Sequence, residues 1–432
     1  MKILIIGAGL GGLTAALCFA RHGHNVTLLE RRKGLSPQGG SIMIRSGACS
    51  TLHHLGLEAD LEAMSDRVPT TLVRSMQTGE VIKRYPVEVS DTPAWGTTRQ
   101  DLMHLLYRKV SETGVDIRFG HFVVDIHDEP GEEHPAVKLN DGQRIHADLI
   151  LVADGIKSRL RAKILALSPP DGGSSSEPII SDTTFYGFNT AVSDLKKNEG
   201  TARLTSQTDV NIWKGKCGYV VTRNNSKTEH VSFLYGVQSE TDQQELWDED
   251  GDIDYVRGIF EGSCSELTIP LQIASSCDRW RLAEMPQIPS WRTDNGRVVL
   301  LGDSAHAMHP NAGQGYSQIV EDIAVLSFLI HEDDLKETPL PGITKIWQDI
   351  RKPRAERISS FSNWKTQWFS GETAAFTRAV GNGDWGEDAR SLKEVSPDMN
   401  AAFATSAFLK WVLDFDTPAE ARKYLQREGS LS

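Results

Sequence analysis

The stretch Lys2–Glu30, KILIIGAGLGGLTAALCFARHGHNVTLLE, decides the fold class. Ile3 to Ile6 is a short continuous apolar run, as a central parallel strand buried on both faces requires. Gly7-x-Gly9-x-x-Gly12 follows at once. The first glycine permits a sharp turn, the second lets the backbone approach a pyrophosphate, and the third lets a helix pack closely on the strand. The spacing predicts a helix from about Leu10 to His22, whose N-terminal amides and positive dipole end face the phosphates. Val26 to Leu29 reads as the second strand. Glu30 closes it about twenty residues beyond the second glycine, where a carboxylate accepts hydrogen bonds from ribose hydroxyls. This is the strand–turn–helix–strand unit of a Rossmann-like dinucleotide fold.

The same literal glycine pattern recurs as GNGDWG at 381–386, without an apolar strand ahead of it and with Asp384 where a phosphate would lie. That copy reads as a loop. The basic start and apolar run of the N-terminus also imitate a leader or membrane anchor, but four glycines interrupt the run and Arg21-His22 ends it. The 432 residues call for two or three structural units, and 39% hydrophobic with 24% charged residues is ordinary for a soluble globular chain. A net charge of −12 argues against nucleic acid and anionic lipid as partners. Five cysteines without a Cys-x-x-Cys pair suit a reducing compartment, hence a cytoplasmic protein.

Which dinucleotide is bound depends on later segments. Glu30 favours an unphosphorylated ribose, although Arg31 beside it would tolerate a 2′-phosphate. Three features favour FAD. TTRQDLMHLLYRKV puts Arg99 at the start of an amphipathic helix, where a cation can reach the cofactor. ADLILVADGIKSRLR is a buried strand ending in Asp154-Gly155. VVLLGDSAHAMHPNAGQG ends its apolar strand, Val298 to Leu301, in Gly302-Asp303. An Asp at the carboxyl end of such a strand faces the crevice where ligands bind.

With these four elements in order, the chain resembles the single-component FAD-dependent aromatic hydroxylases related to 4-hydroxybenzoate and salicylate hydroxylases. The resemblance covers roughly the first 330 residues. It implies that the segment QGGSIMIRSGACSTLHHLGL runs along the cofactor, with Gly40 and Arg45 near the flavin. It also implies that Pro310, Gly313 and Gly315, matching the family's Pro-x-x-Gly-x-Gly, pass the isoalloxazine ring and lead into a helix whose amides stabilise negative charge. His306-x-x-His309 in the same loop supplies too few ligands for a metal centre. No metal is expected: His306 reads as a packing or hydrogen-bonding residue and His309 as a rim residue.

The architecture expected is α/β: a Rossmann-like FAD-binding domain from 1–71, 96–178 and 282–340, a discontinuous β-sheet substrate domain from 72–95 and 179–281, and a helical C-terminal region over 341–432. Tyr186, Asn189, Tyr219 and Tyr235 lie in strand-like runs of the second unit and are candidates for the pocket lining, or tyrosines packed within a sheet. The Trp-Arg pair that many salicylate-type relatives carry near YGFNTAV is missing, which argues against a carboxylate-bearing substrate. Trp and Phe at helical spacings in the C-terminal region read as docking surface.

Family resemblance implies a monooxygenase using FAD, NADPH or NADH, and O₂. It would hydroxylate or epoxidise an electron-rich aromatic or alkene-containing small molecule through a C4a-hydroperoxyflavin. The oxygen chemistry is the cofactor's, and no catalytic side chain is assigned. The alternatives are a flavin-dependent reductase or dehydrogenase on the same fold, without oxygen insertion, and a non-catalytic flavoprotein-like scaffold. The chain is expected to act as a monomer or homodimer.

Overall fold

The computed structural model describes residues 1–36, 40–87, 93–168, 175–238, 247–370, 403, 405–413 and 415–427. The GNGDWG repeat at 381–386 lies outside the described residues. The opening stretch folds as its pattern requires: β1 (Lys2–Ile6), α1 (Leu10–Arg21) and β2 (Asn25–Glu30). Ile3, Leu4 and Ile5 have no exposed surface, because β1 is covered on both faces and flanked by strands on both edges. A five-stranded sheet is built round it, in the order 298–300, 149–152, β1, β2, 116–119, with every pairing parallel. The carboxyl ends of β1, β2 and the strands 149–152 and 298–300 therefore converge on one edge.

From Ser41–Ile44 and Trp95–Thr98 a small antiparallel sheet links this unit to a second one. The second unit is an eight-stranded mixed sheet. Its central strands are β3 (Ile179–Ala191), β4 (Val210–Gly215), β5 (Gly218–Asn225), β6 (His230–Gln238) and β7 (Cys277–Glu284). Strands Thr70–Ser75 and Val81–Pro86, from much earlier in the chain, complete it, the first pairing in parallel with β4. Helices 253–260 and 265–273 cover one face; the other looks toward the parallel sheet's carboxyl edge.

Two long helices brace the arrangement. α2 (Gly315–His331) packs on α1, and α3 (Leu340–Ser370) runs along α2 and on past the turn Pro310–Ala312 toward β5. α3 carries Pro353 in its interior. The expected α/β fold with a second β-sheet and a helical C-terminal region is present.

Candidate active site: a cavity between two helix N-termini and a sheet

Between the parallel sheet's carboxyl edge and the inner face of the large sheet lies a cavity of about 770 Å³. Its floor is backbone. Gly7 adopts φ +103°, and a side chain there would strike Ala153 O at 2.5 Å, so only glycine makes this turn. Gly9 stands just ahead of α1 at its N-cap, and a Cβ on it would meet no atom within 4 Å: it faces open cavity. A Cβ on Gly12 would stand 1.8 Å from Gly7 O, so this glycine sits inside the helix–strand contact and off the cavity wall.

α1 carries no side-chain cap and no acidic residue in its first turn, which leaves its N-terminal amides for a ligand. The same holds for α2, which opens on Gly315 behind Gln314, again without a side-chain cap or early acidic residue. Two uncapped positive helix ends therefore border one cavity.

Polar groups are set round this floor. Glu30 ends β2 with Oε2 accepting from Ala8 N at 2.8 Å and Oε1 from Arg32 N at 2.9 Å, which fixes the carboxylate while each oxygen keeps a free lone pair. Asp154 is half-buried, its Oδ1 is buried without a hydrogen-bond partner, and burial raises its pKa against the lowering effect of Ser158. An orphaned buried acceptor on a cavity wall suits a ligand hydroxyl. Arg161, fully buried, is not on the wall; it ties the Asp154-Gly155 turn to the next loop by donating to Ile156 O and Ser304 O at 2.8 and 2.7 Å. Arg99 and Asp303 both line the cavity; burial lowers the Arg99 pKa and Asp303 opposes that shift. Arg45 donates to Gly313 O at 3.3 Å and Ala312 O at 3.2 Å, holding the turn ahead of α2, and burial brings its pKa down to about 10.

Of the cofactor residues named from sequence, Gly7, Gly9, Glu30, Arg31, Arg45 and Arg99 are on the wall, as are Asp154, Asp303, Pro310, Gly313 and Gly315. Gly12 and Gly40 are not. Gly40 stands just behind it, its carbonyl accepting from Arg99 N at 3.0 Å. FAD fits this lining: amides and glycines for a pyrophosphate, carboxylates for hydroxyls, and a flat glycine-lined stretch.

The roof is the large sheet's inner face, and strand alternation decides who belongs to it. Phe185, Leu234, Ile212, Val221, Trp280 and Leu282 line the cavity. Tyr186 and Tyr235 are directly paired in register and point the other way, into the core beneath helices 253–260 and 265–273, where Tyr235 Oη donates to Leu267 O at 2.6 Å. These two candidates are corrected: they are core tyrosines. Asn189 is on the cavity side of β3 but exposed at its end, accepting from Ser232 Oγ at 2.7 Å. Tyr219 is buried behind the wall, 3.0 Å from Asn311 Nδ2.

The two histidines part company. His306 Nε2 donates to Asp322 Oδ2 at 2.6 Å and packs on Trp291, away from the cavity. His309 lines the cavity but is 9% exposed, a buried residue where a rim residue was expected. Its Nδ1 meets Thr366 Oγ1 at 3.1 Å. Among the described residues no three His, Cys, Asp or Glu side chains gather as metal ligands.

Sequence reasoning missed two groups. Lys365, from the far end of α3, reaches the cavity wall. Arg223, buried on β5, also lines it while donating to Ser41 Oγ and Thr97 O, stapling the roof to the small sheet. Arg223 stands among Thr222, Asn224 and Asn225 at the polar end of its strand, so neither it nor Lys365 carried a sequence signal.

Comparison with known proteins adds the following. The family model for the FAD binding domain matches residues 1–362. "FAD-dependent monooxygenase OpS4" of Beauveria bassiana is 27% identical over 83% of this chain and 83% of its own. "6-hydroxynicotinate 3-monooxygenase" of Bordetella bronchiseptica is 26% identical over 84% of this chain and 91% of its own. The crystal structure of CtdE in complex with FAD and a substrate superposes with a TM-score of 0.79 at 20% identity, covering 99% of this chain and 98% of that one.

Proposed function

We propose, on the premise that the chain belongs to the FAD-binding-domain family, that its cavity holds FAD on the glycine floor and a flat aromatic substrate beneath the apolar roof. The protein is an FAD-dependent monooxygenase. Its overall reaction is substrate–H + NAD(P)H + O₂ + H⁺ → substrate–OH + NAD(P)⁺ + H₂O, or the corresponding epoxidation. The observation that carries the reading of the site is the pairing of two uncapped helix N-termini with an apolar sheet face across one cavity.

Bound FAD supplies the redox chemistry, taking electrons from NADPH or NADH and activating O₂. The chain does the rest. Gly7, Gly9 and the α1 amides receive the pyrophosphate; Gly12 keeps α1 close enough for them to do so. Glu30, Arg31, Asp154 and Asp303 receive hydroxyls and phosphates. Arg99 and Gly40 act as a pair through their backbone contact. Arg45 holds Pro310 to Gly313 in place, and the α2 amides from Gly315 would offer positive potential to a bound flavin. Phe185, Leu234 and Trp280 would exclude water from the cavity and give the substrate an apolar face. We assign the parallel sheet and its helices to the cofactor and the eight-stranded sheet to the substrate.

The described residues assigned to the site all come from one chain, which supports a monomer or homodimer. All five cysteines are unpaired, which supports a cytoplasmic setting; no described helix is long and apolar enough to cross a membrane. Relatives named as monooxygenases favour oxygen insertion over the reductase alternative. The test is to follow NAD(P)H and O₂ consumption by the yellow holoenzyme with a panel of phenols and indoles. Both should rise together with one compound and yield an oxygenated product. Turnover without O₂ uptake would return the reductase reading.

A further inference from the structure

At the ends of α1 and α2 that point away from the cavity, three histidines meet. His22 is the C-cap of α1, His24 stands just ahead of β2, and His331 is the last residue of α2. The His22 and His331 rings stack with centroids 4.6 Å apart, and His24 Nε2 lies 3.0 Å from His331 Nε2. Their partners fix the protons. His331 Nδ1 donates to Ser327 O at 2.6 Å, so in the neutral ring Nε2 is bare and accepts. His24 Nε2 therefore carries its ring's proton and donates, which leaves Nδ1 bare toward the Met1 amine, 3.2 Å away. His22 Nδ1 donates to Cys18 O at 2.8 Å. This chain of bonds closes only while His24 and His331 are neutral. One more proton, on His331 Nε2 or on His24 Nδ1, sets donor against donor and cation against cation.

We propose that the cluster is an acid-sensitive latch on the FAD site: neutral, it holds α1 and α2 in the alignment that aims both N-termini at the cofactor; protonated, it releases them, and FAD with them. The inference rests on the reading that FAD lies on those two helix starts. The helices run side by side in the same direction, and contacts mark the seam from end to end. A Cβ on Gly11 would come within 2.9 Å of Ile319, and Thr14 Oγ1 is 3.0 Å from Tyr316 Oη. Further along, Cys18 hydrogen-bonds Ser327, and the histidines close the far end. Gly11, Tyr316 and Ile319 line the cavity. A splay at the latch is thus carried along about 18 Å of α1 to the ligand.

The surrounding charges leave added protons uncompensated. The groups that act on His24 are the Met1 amine, His331 and His22, all of them basic. The carboxylates that follow α2 already have cations: Glu332 lies 3.9 Å from Arg422 on the helix Thr417–Arg427, and Asp333 lies 2.7 Å from Lys336. Burial first, then the amine and the other two histidines, brings His24 down to about 4. The unfolded chain takes up this proton at higher pH than the folded one. The latch's contribution is therefore whole above about pH 6.5 and is lost as pH falls toward the folded value. Linkage makes the effect reciprocal: bound FAD resists protonation of the cluster, and FAD release takes up protons.

The test follows FAD release from the holoenzyme by flavin fluorescence, from about pH 7.5 to about pH 5, across the histidine range. Wild type is compared with His24→Gln/His331→Gln, and thermal melts of the FAD-free chains are taken over the same range. Glutamine keeps a donor and an acceptor but takes up no proton. Wild-type FAD affinity should fall about tenfold more than the variant's, as one unit of altered proton affinity warrants. The wild-type melts should also fall more steeply with acid. Should the double variant fail to fold, His331→Gln alone carries the same expectation. Equal pH dependence of FAD affinity in the two proteins overturns the proposal even where the melts differ, because the cluster then braces the fold without reaching the site. A chain that binds no FAD at any pH sinks the reading of the cavity instead. The latch is then decided by the melts, and a wild type no steeper than the variant overturns it.

Discussion

Gly9 and Gly12 stand three residues apart in one motif and answer to different demands. A methyl at Gly12 collides with Gly7 O, whereas one at Gly9 enters open cavity. Gly12→Ala should therefore cost the fold more than about 3 kcal/mol, beyond the usual range for overpacking because backbone cannot step aside; a fall in the thermal midpoint checks it. Gly9→Ala should keep that midpoint and lose FAD, read as flavin absorbance per chain. Asp154 makes a second test. Its carboxyl is buried with a raised pKa, so the folded apo-protein holds its proton to higher pH than the unfolded chain. Apo stability on that account falls as pH climbs from the ordinary carboxylate value to the raised one, and stays lower above it. Asp154→Asn should thus stabilise the apo-protein at neutral pH while weakening FAD binding, a pair of opposite changes seen by thermal melts with and without FAD. Much of this scale was legible in advance, since glycines demanded by turns and phosphates announce themselves by spacing. His309 was not: whether a loop residue is rim or wall depends on what covers it, here Thr366 on α3.

At the scale of elements, the loop that carries Asp303 and His309 is tied into α2 and α3 by a buried polar network. His306 donates to Asp322, and Gly302 N reaches the same carboxylate oxygen at 3.2 Å. Arg351 donates to Asp322 Oδ1 at 2.9 Å and Glu321 Oε2 at 2.6 Å, while Arg354 forks onto Glu321. All four charged groups are buried. Arg351→Leu leaves Glu321 to Arg354 and Asp322 to His306 alone, weakening the compensation of two buried carboxylates, and should cost about 3 kcal/mol, measured by denaturant unfolding. Burial alone would raise the Asp322 pKa, but His306 and Arg351 outweigh it and hold the carboxyl below its ordinary value. Its contribution is present above the unfolded pKa and lost as pH falls through the lower folded one. Acid unfolding of the wild type should therefore steepen in that range, and Asp322→Asn should flatten it. Element types were readable from sequence; the facing of the large sheet was not. β3 and β6 are apolar on both sides, Phe185 and Leu234 alternating with Tyr186 and Tyr235, so a period of two could not say which set met the cavity.

For the whole molecule, the C-terminal helices prove to be part of the site's scaffold. Arg354 donates to Trp411 O at 2.8 Å and lies 3.8 Å from the Phe415 ring centre. Gln314, the residue ahead of α2, reaches Val412 O, and Phe403, Phe408 and Val412 bury Ala312. Truncation ahead of Phe403 should expose that cluster, strip Arg354 of its partners and loosen the turn that Arg45 grips. The expected result is a chain that folds but sheds FAD, checked by gel filtration with absorbance at the flavin band.

The sequence by itself determined the α/β fold, the edge at which the cavity opens and most of its floor. These follow from constraints a few residues long: a turn that only glycine can make, an amide row at a helix start, and apolar runs that must be buried twice. Tertiary structure alone decided the roof's face, the buried Asp322–Arg351 network and the arrival of Lys365. Each depends on where distant elements stop and how they are rotated about their axes. A residue such as Lys365 carries no local mark of its position, because the cavity it reaches is walled by elements distant in sequence that come together only when the chain has packed.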